Sequence, residues 1–430
     1  MVNNAGVNGA GKKAYPPDNI LKSTLLTYAR HSLTQDQKIA RLIVDHQLNI
    51  GKTKLNEIER RLEIPSVRRK KLAAEEVVQL VMDEVEKDVT QNNGPNYIKA
   101  KLKDKDIKIP RDTVRKIMTQ HFSEGAEKRF PGKKKTPVNR QPLSALGPYH
   151  EIAADGHEKI GALALQMGGL GLPIYAYRDK WTGRLPQIDV VPDCRSAGAV
   201  GHLYLDLLEK LGGMSMQLNL DKGSEIGWQV AFQIALREAF APQIDPDVYR
   251  SVALLKSIHN IIIESLWRWL REKAGYNLRE VILQGKTDRL INPDVNYHRH
   301  LFYWIFVPLV QAALDDFRVY WNQRVVRYQA NKDMPSGHVP DDAAAHPQFY
   351  GGIDCLIRLP EDAISDLRQH LTEEVGPKEN FRRFYPDDFT PVAEEVYREL
   401  GYPELSLLTA WTVFTKMSDF IETNLLYNPY

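Results

Sequence analysis

Three acidic residues of this 430-residue chain stand where they could take part in chemistry. Asp155 and Asp221 each end a short run typical of a β-strand, and Glu264 lies within an apolar run typical of a helix. Two strand-end carboxylates with a helix carboxylate near them can hold two divalent cations about 3.5–4 Å apart, as in-line phosphoryl transfer requires. Alternatively, the aspartates are ordinary turn residues close to glycines and Glu264 faces solvent. Spacing alone leaves both interpretations open.

The composition favours oxygen ligands over sulfur at such a site. Mg²⁺ takes carboxylate oxygens, so a site without His or Cys has the right chemistry. The chain has only two cysteines, Cys194 and Cys355, and no C-x-x-C, which excludes a disulfide framework and a cysteine-rich zinc module. No apolar run reaches the roughly 18 residues of a membrane span. We therefore expect no membrane partner and a reducing, intracellular location, nuclear if the source is eukaryotic.

The elements that must position these acids are those of a mixed α/β domain. Alternating or short apolar runs bounded by turn residues predict strands at 151–156, 172–177, 187–191 and 216–220. Helical periodicity predicts helices at 199–211, 228–240 and 257–273. Strands first, followed by alternating helix and strand, indicate one α/β domain.

The N-terminal third is basic and helical. Residues 1–150 carry 29 Lys and Arg against 17 Asp and Glu, whereas the other 280 carry 28 against 38. A compact helix pair, the second opening at Pro110, fits a helix-turn-helix with Arg111, Arg115 and Lys116 available to DNA. A solvated basic face without a ligand is the alternative.

Several motifs resemble the integrase-core domain of DDE transposases and retroviral-type integrases, most closely a eukaryotic, transposon-derived group. The first motif is GPYHEIAADGHEKI at 147–160, the second is LDKGSEI at 220–226, and the third is SIHNIIIESLWRWLR at 257–271. The stretches at 93–102 and 110–115 resemble the helix-turn-helix of that group, and those at 320–327 and 335–340 also resemble its sequences. The resemblance covers about residues 75–355.

The resemblance implies an RNase H-like fold and a DDE triad. Asp155 would be shared between two Mg²⁺ (or Mn²⁺) ions, with Asp221 on one and Glu264 on the other. The implied reaction is hydrolysis of a DNA phosphodiester followed by strand transfer from the freed 3′-hydroxyl, without a covalent enzyme intermediate. Four neighbours of the triad could contact phosphate: Lys159, Lys222, His259 and Asn260.

Some residues depart from the family pattern. Ile226 replaces an Asn of the second motif, and Ile261 and Ile262 replace a Gln-Arg pair of the third. These changes remove polar groups near the expected metal site. We expect Ile261 and Ile262 to be buried in the core, which would leave the site able to bind Mg²⁺.

The predicted fold class is a multidomain protein with a helical N-terminal region containing a helix-turn-helix, a central α/β RNase H-like integrase core and a helical C-terminal region. The predicted segments are a flexible tail (1–34), a helical domain (35–90), the helix-turn-helix (91–127), a basic linker (128–146), the core (147–275), its helical extension (276–330) and the C-terminal region (331–430).

Three functions stay open at this point. The first is an Mg²⁺-dependent DNA transposase or integrase that works as a homo-oligomer on double-stranded DNA. The second is a domesticated descendant that binds DNA or protein without cutting. The third is a helical nucleic-acid-binding factor whose acidic residues are incidental.

Overall fold

The fold is taken from a computed structural model, which describes residues 14–66, 72–122, 144–158, 170–255, 260–329 and 332–424. The chain divides into two compact units. The first comprises Met1–Glu86, Asn93–Phe130 and Gln323–Val325, and the second comprises Lys87–Asn92, Pro131–Asn322 and Val326–Tyr430. Most of the predicted basic linker lies outside the described residues.

The first unit begins with three helices, α1 (Asp18–Arg30), α2 (Gln35–His46) and α3 (Lys52–Arg61). Leu21 and Leu25 of α1 are fully buried in the core that these helices share. The prediction of a flexible tail over 1–34 is therefore wrong from residue 18 onward. Leucines four residues apart give α1 one apolar face, and α2 and α3 supply the apolar surface that covers it.

Three further helices complete this unit, α4 (Ala74–Glu86), α5 (Pro95–Asp104) and α6 (Arg111–His121). Val81, Ile98 and Val114, one from each helix, are fully buried together. Pro95 occupies the first position of α5, where its missing N–H costs no helical hydrogen bond. A short turn joins α5 to α6, as the helix-turn-helix prediction requires, but the motif itself stays a prediction.

The second unit is built on a mixed β-sheet. Its strands are β1 (Glu151–His157), β2 (Ile174–Asp179), β3 (Gln187–Val190), β4 (Gly213–Met214), β5 (Gln217–Asp221), β6 (Val252–Leu255) and β7 (Ile357–Arg358). Five strands form the main sheet in the order β3-β2-β1-β5-β6. β1, β2 and β3 pair antiparallel, β5 runs parallel to β1, and β6 runs parallel to β5. β4 and β7 pair separately.

Ten helices surround the strands in the described part of this unit. They are α7 (Ala197–Leu211), α8 (Gly227–Phe240), α9 (Ile261–Leu270), α10 (Tyr276–Thr287), α11 (Asn296–Gln323), α12 (Pro340–Ala345), α13 (Glu361–Val375), α14 (Lys378–Arg382), α15 (Phe389–Glu399) and α16 (Ala410–Asn424). A π-helical turn, Arg271–Gly275, joins α9 to α10. Within the described ranges, no helix has the length and apolar character needed to span a membrane.

The sheet separates two hydrophobic cores. On β1, Ala153 faces a core shared with α9, α10, α11, α15 and α16, whereas Ile152 and Ala154 face a core shared with α7, α8 and α13. This division follows from the alternation of side chains along a strand. The predicted α/β centre with helical flanks is thus confirmed, and the C-terminal helices α13, α15 and α16 belong to the same two cores.

Candidate active site

Asp155 and Asp221 lie on the same face of the sheet. The parallel register pairs Ala153 of β1 with Asn219 of β5, and the two aspartates follow two residues later on each strand. Because side chains alternate, both point to the face that Ala153 shares with α9. Neighbouring strands lie about 4.8 Å apart, so the two carboxylates start from adjacent backbone positions.

Helix α9 covers these aspartates and contacts both of them. Its buried side includes Ile263 and Leu266, which pack into the core beneath the sheet face. Trp267 Nε1 donates a hydrogen bond to Asp155 Oδ2 at 2.8 Å. Asn260, immediately before the helix, donates from Nδ2 to Asp221 Oδ1 at 3.1 Å. One helix therefore orients both strand aspartates.

Glu264 lies in the first turn of the same helix, and its side chain is exposed. Its charge nevertheless reaches Asp155, whose pKa is raised to about 7. Burial is the main cause of this rise; the hydrogen bond from Trp267 opposes it, and the charges of Asp221 and Glu264 add to it. Asp221 and Glu264 therefore both act electrostatically on Asp155.

The oxygen atoms that the three acids offer are of the kind that a divalent cation prefers. Three carboxylates that repel one another would be stabilised by positive charge between them. The buried Oδ1 of Asn260, next to Asp221, has no hydrogen-bond partner among the described residues and is a further oxygen that a cation could use. Across the described ranges, however, no three His, Cys, Asp or Glu side chains are close enough to hold a metal ion. The ligand types fit a divalent cation, and of the three acids Glu264 is the one whose side chain is exposed.

The other predicted phosphate-contact residues are placed only in part. Lys222 is exposed just after Asp221, and Asn260 is buried and contacts the site. Lys159 and His259 lie outside the described residues.

The expectation for the isoleucines is wrong at one position. Ile261 is 54% exposed, whereas Ile262 is partly buried against the core. At 100° per residue, a position three residues before Glu264 lies only about 60° from it, so Ile261 shares the exposed side of Glu264. Ile226 is buried, with Leu218 and Leu220, on the opposite side of the sheet.

Trp267 and His157 are functional candidates that the sequence reasoning missed. The two rings stack with centroids 4.7 Å apart and planes 11° apart, next to Asp155. The available signal was spacing: Trp267 follows Glu264 by three residues, and His157 follows Asp155 by two, so each shares a face with an acid.

The basic residues predicted to contact DNA are exposed on α6. The side chains of Arg111 and Arg115 are 49% and 57% exposed, and Lys116 is exposed beside them. Arg111 donates from Nε to Asn96 Oδ1 at 2.9 Å, which fixes part of its length. Asp112 lies within ion-pair distance of both arginines, at 3.7 and 3.5 Å, so this short helix exposes three cations and one carboxylate.

Comparison with known families gives one match. Residues 200–337 match the family model described as integrase core domain, which supports an integrase-core, RNase H-like family and confirms the resemblance identified from the motifs. The matched range contains Asp221 and Glu264 and begins after Asp155. No curated protein matches the chain.

Proposed function

We propose that this chain, whose residues 200–337 match an integrase core domain, is a polynucleotidyl transferase that cuts and joins DNA strands. The proposed activity is that of a transposase or integrase using Mg²⁺ or Mn²⁺, with Asp155, Asp221 and Glu264 as ligands of two ions. The observation that carries the proposal is the placement of the two aspartates on one face of adjacent strands, beneath the helix that bears Glu264.

The chain contributes orientation and charge to this reaction. Two bound divalent cations would activate the attacking oxygen and stabilise the leaving oxygen of a phosphodiester. Trp267 and Asn260 hold the carboxylates of Asp155 and Asp221 in fixed directions through their hydrogen bonds. Lys222, exposed after Asp221, would attract a DNA phosphate to the same edge of the sheet.

Trp267→Phe tests this orienting role. The variant removes the indole N–H that lowers the pKa of Asp155, so that pKa should rise further. Loss of a hydrogen bond to a charged group costs about 1.5–3 kcal/mol, so we expect at least tenfold weaker Mn²⁺ binding at pH 7, measured by titration with paramagnetic resonance detection. Trp269→Phe, on an exposed side of the same helix, is the control and should bind as wild type does. Equal affinity in both variants would contradict the role of Trp267.

We further propose that α6 binds double-stranded DNA. We also propose that the protein works as a homo-oligomer on that DNA. Arg111, Arg115 and Lys116 supply the charge, and all three are exposed, so a phosphate could replace Asp112 as the partner of the two arginines. The buried side of the helix, through Val114 and Met118, fixes this face outward.

Replacing Arg111, Arg115 and Lys116 with Ala should weaken DNA binding and flatten its salt dependence. Each lost phosphate contact lowers the slope of log affinity against log salt by about one. Fluorescence anisotropy at several salt concentrations would measure both quantities. A matched control replaces three cations of α3 that carry the same charge and likewise form ion pairs, Lys52, Lys54 and Arg61. An unchanged slope in the α6 variant would show that this helix does not hold DNA.

A second candidate function, binding DNA or protein without cutting, is favoured by a different observation. In the described part of the chain the acids do not form a closed metal site, and the exposed Ile261 lies on the side of Glu264 where the family has a polar residue. An apolar side chain there would offer no hydrogen bond to a scissile phosphate.

Strand cleavage and joining on the DNA that flanks the gene, with Mg²⁺ or Mn²⁺, tests the proposed function. We expect activity in the wild type and a loss of at least about a thousandfold in Asp221→Asn, since a metal ligand is removed. Absence of cleavage in the wild type, together with equal and negligible Mn²⁺ binding in wild type and Asp221→Asn, would leave the binding function in its place.

A further inference from the structure

Arg178 of β2 occupies an unusual position beneath the helix that carries Glu264. Side-chain alternation places it on the same face as Ile174 and Ala176, which lie in the core covered by α9. It is therefore a largely buried cation two strands away from Asp221 and directly under α9.

The guanidinium contacts α9 on both sides of Glu264 in the sequence. Its Nη1 donates to the backbone oxygen of Ile262 and to Oγ of Ser265, each at 2.5 Å. Ser265 Oγ in turn donates to Ile262 O at 2.9 Å. These bonds tie the first turn of the helix, and with it the backbone of Glu264, to the sheet.

The rest of the side chain is held by an aromatic ring. The guanidinium carbon lies 5.0 Å from the centroid of Trp321 on α11, a cation–π distance. Trp321 is itself fixed, because its Nε1 donates to Gly183 O at 2.8 Å. The Arg178 side chain is thus held on one side by the ring of Trp321 and on the other by the start of α9.

Stability alone is a weak reason for a cation here. Among the described residues no carboxylate forms an ion pair with Arg178, and burial lowers its pKa to about 10, so it is still charged at neutral pH. An apolar side chain of similar volume would avoid the desolvation cost of a buried, unpaired charge. The two hydrogen bonds from Nη1 to α9 are therefore the best explanation of this arginine, whose buried Nε has no hydrogen-bond partner among the described residues.

We propose that Arg178 is a positioning residue that fixes the first turn of α9 and so sets where Glu264 lies relative to Asp155 and Asp221. The proposal rests on the proposed strand-cutting function for its catalytic consequence. Its structural part, that Arg178 immobilises this turn, stands independently of that function.

Hydrogen exchange of the full chain without metal tests the structural part. In Arg178→Met, amides of 260–267 should exchange at least tenfold faster than in wild type, while those of β1 and β5 should not change. Arg184→Met is the matched control, because Arg184 is a partly buried arginine of the same unit that contacts Asp341 and Tyr149 instead of α9. Unchanged exchange at 260–267 would overturn the proposal. If Arg178→Met fails to fold, Ser265→Ala removes one of the two acceptors and should give the same local change.

A double-mutant cycle tests the catalytic part. Arg178→Met should lower kcat for strand cleavage about 10- to 100-fold and leave KM for DNA unchanged, since misplacement of a catalytic group acts on the chemical step. Mn²⁺ affinity should fall in Arg178→Met and in Glu264→Gln, and the double variant should be no worse than Glu264→Gln. If the losses of Mn²⁺ affinity in the two single variants add up in the double variant, Arg178 does not act through Glu264. A wild type that neither cleaves nor binds Mn²⁺ would overturn the proposed function, and the exchange result would still decide the role of Arg178.

Discussion

Asp155→Asn is expected to abolish strand cleavage and, without metal at pH 8, to raise the free energy of unfolding by up to about 4 kcal/mol. The gain arises because the pKa of Asp155 is raised in the folded protein from 3.8 to about 7, chiefly by burial. A raised carboxyl pKa means that folding disfavours the charged form, so the wild type loses stability as pH rises from about 4 to 7. The neutral amide has no charge to bury.

Urea unfolding at several pH values would measure this difference. Wild type and Asp155→Asn should be nearly equal near pH 4 and should diverge until about pH 7, after which the gap stays constant. Mg²⁺ should stabilise the wild type and leave the variant unchanged, because a ligand that binds only the folded state adds to its stability. A variant less stable than wild type at pH 8 without metal would contradict the electrostatic account.

Asp206→Asn should have the opposite effect and lower the free energy of unfolding by about 3 kcal/mol. Asp206 of α7 accepts hydrogen bonds from Arg368, Lys378 and Arg382, which anchor α13, α14 and the turn between them to the core. Its side chain is only 14% exposed. Without its charge, three cations would lie close together with their common partner gone.

The contribution of Asp206 to stability also depends on pH in the direction opposite to that of Asp155. Burial would raise the pKa of Asp206, but the hydrogen bond from Lys378 and the neighbouring cations bring it below its ordinary value. A lowered carboxyl pKa contributes stability that is present above the unfolded-state pKa and is lost as pH falls through the folded-state value. Urea unfolding near pH 7 should therefore show the full loss in Asp206→Asn, and the gap should close in acid. Equal stability at neutral pH would show that the cations find other partners.

The sequence predicted those elements whose pattern is local. β1, β2, β3 and β5 lie within two residues of the predicted strands, because each is an apolar or alternating run bounded by turn residues. Helix α7 begins two residues earlier than predicted and ends at Leu211, where Gly212 adopts a left-handed conformation with φ of 61°. A glycine accepts that conformation without strain, so the end of the helix could be predicted.

Features that depend on a distant partner could not be predicted in this way. β6 consists of four residues, Val252–Leu255, of which Leu254 is 48% exposed, and only its pairing with β5 makes it a strand. The roles of Trp267 and Arg178 arise from contacts across more than eighty residues of sequence. Side-chain periodicity identifies a face, but it does not show which atoms will meet on it.

The candidate site depends on one helix, α9, and this has a consequence for how a protein with this site could lose activity during evolution. The helix carries Glu264, and through Trp267 and Asn260 it contacts the other two acids. A single substitution that shifts its first turn would abolish the proposed strand cleavage while every acid remained in the sequence and the sheet stayed intact. Retention of the three acids in a lineage is therefore a poor record of catalysis. Arg178 and Ser265, which hold the first turn of the helix through their hydrogen bonds, would record the proposed catalysis better.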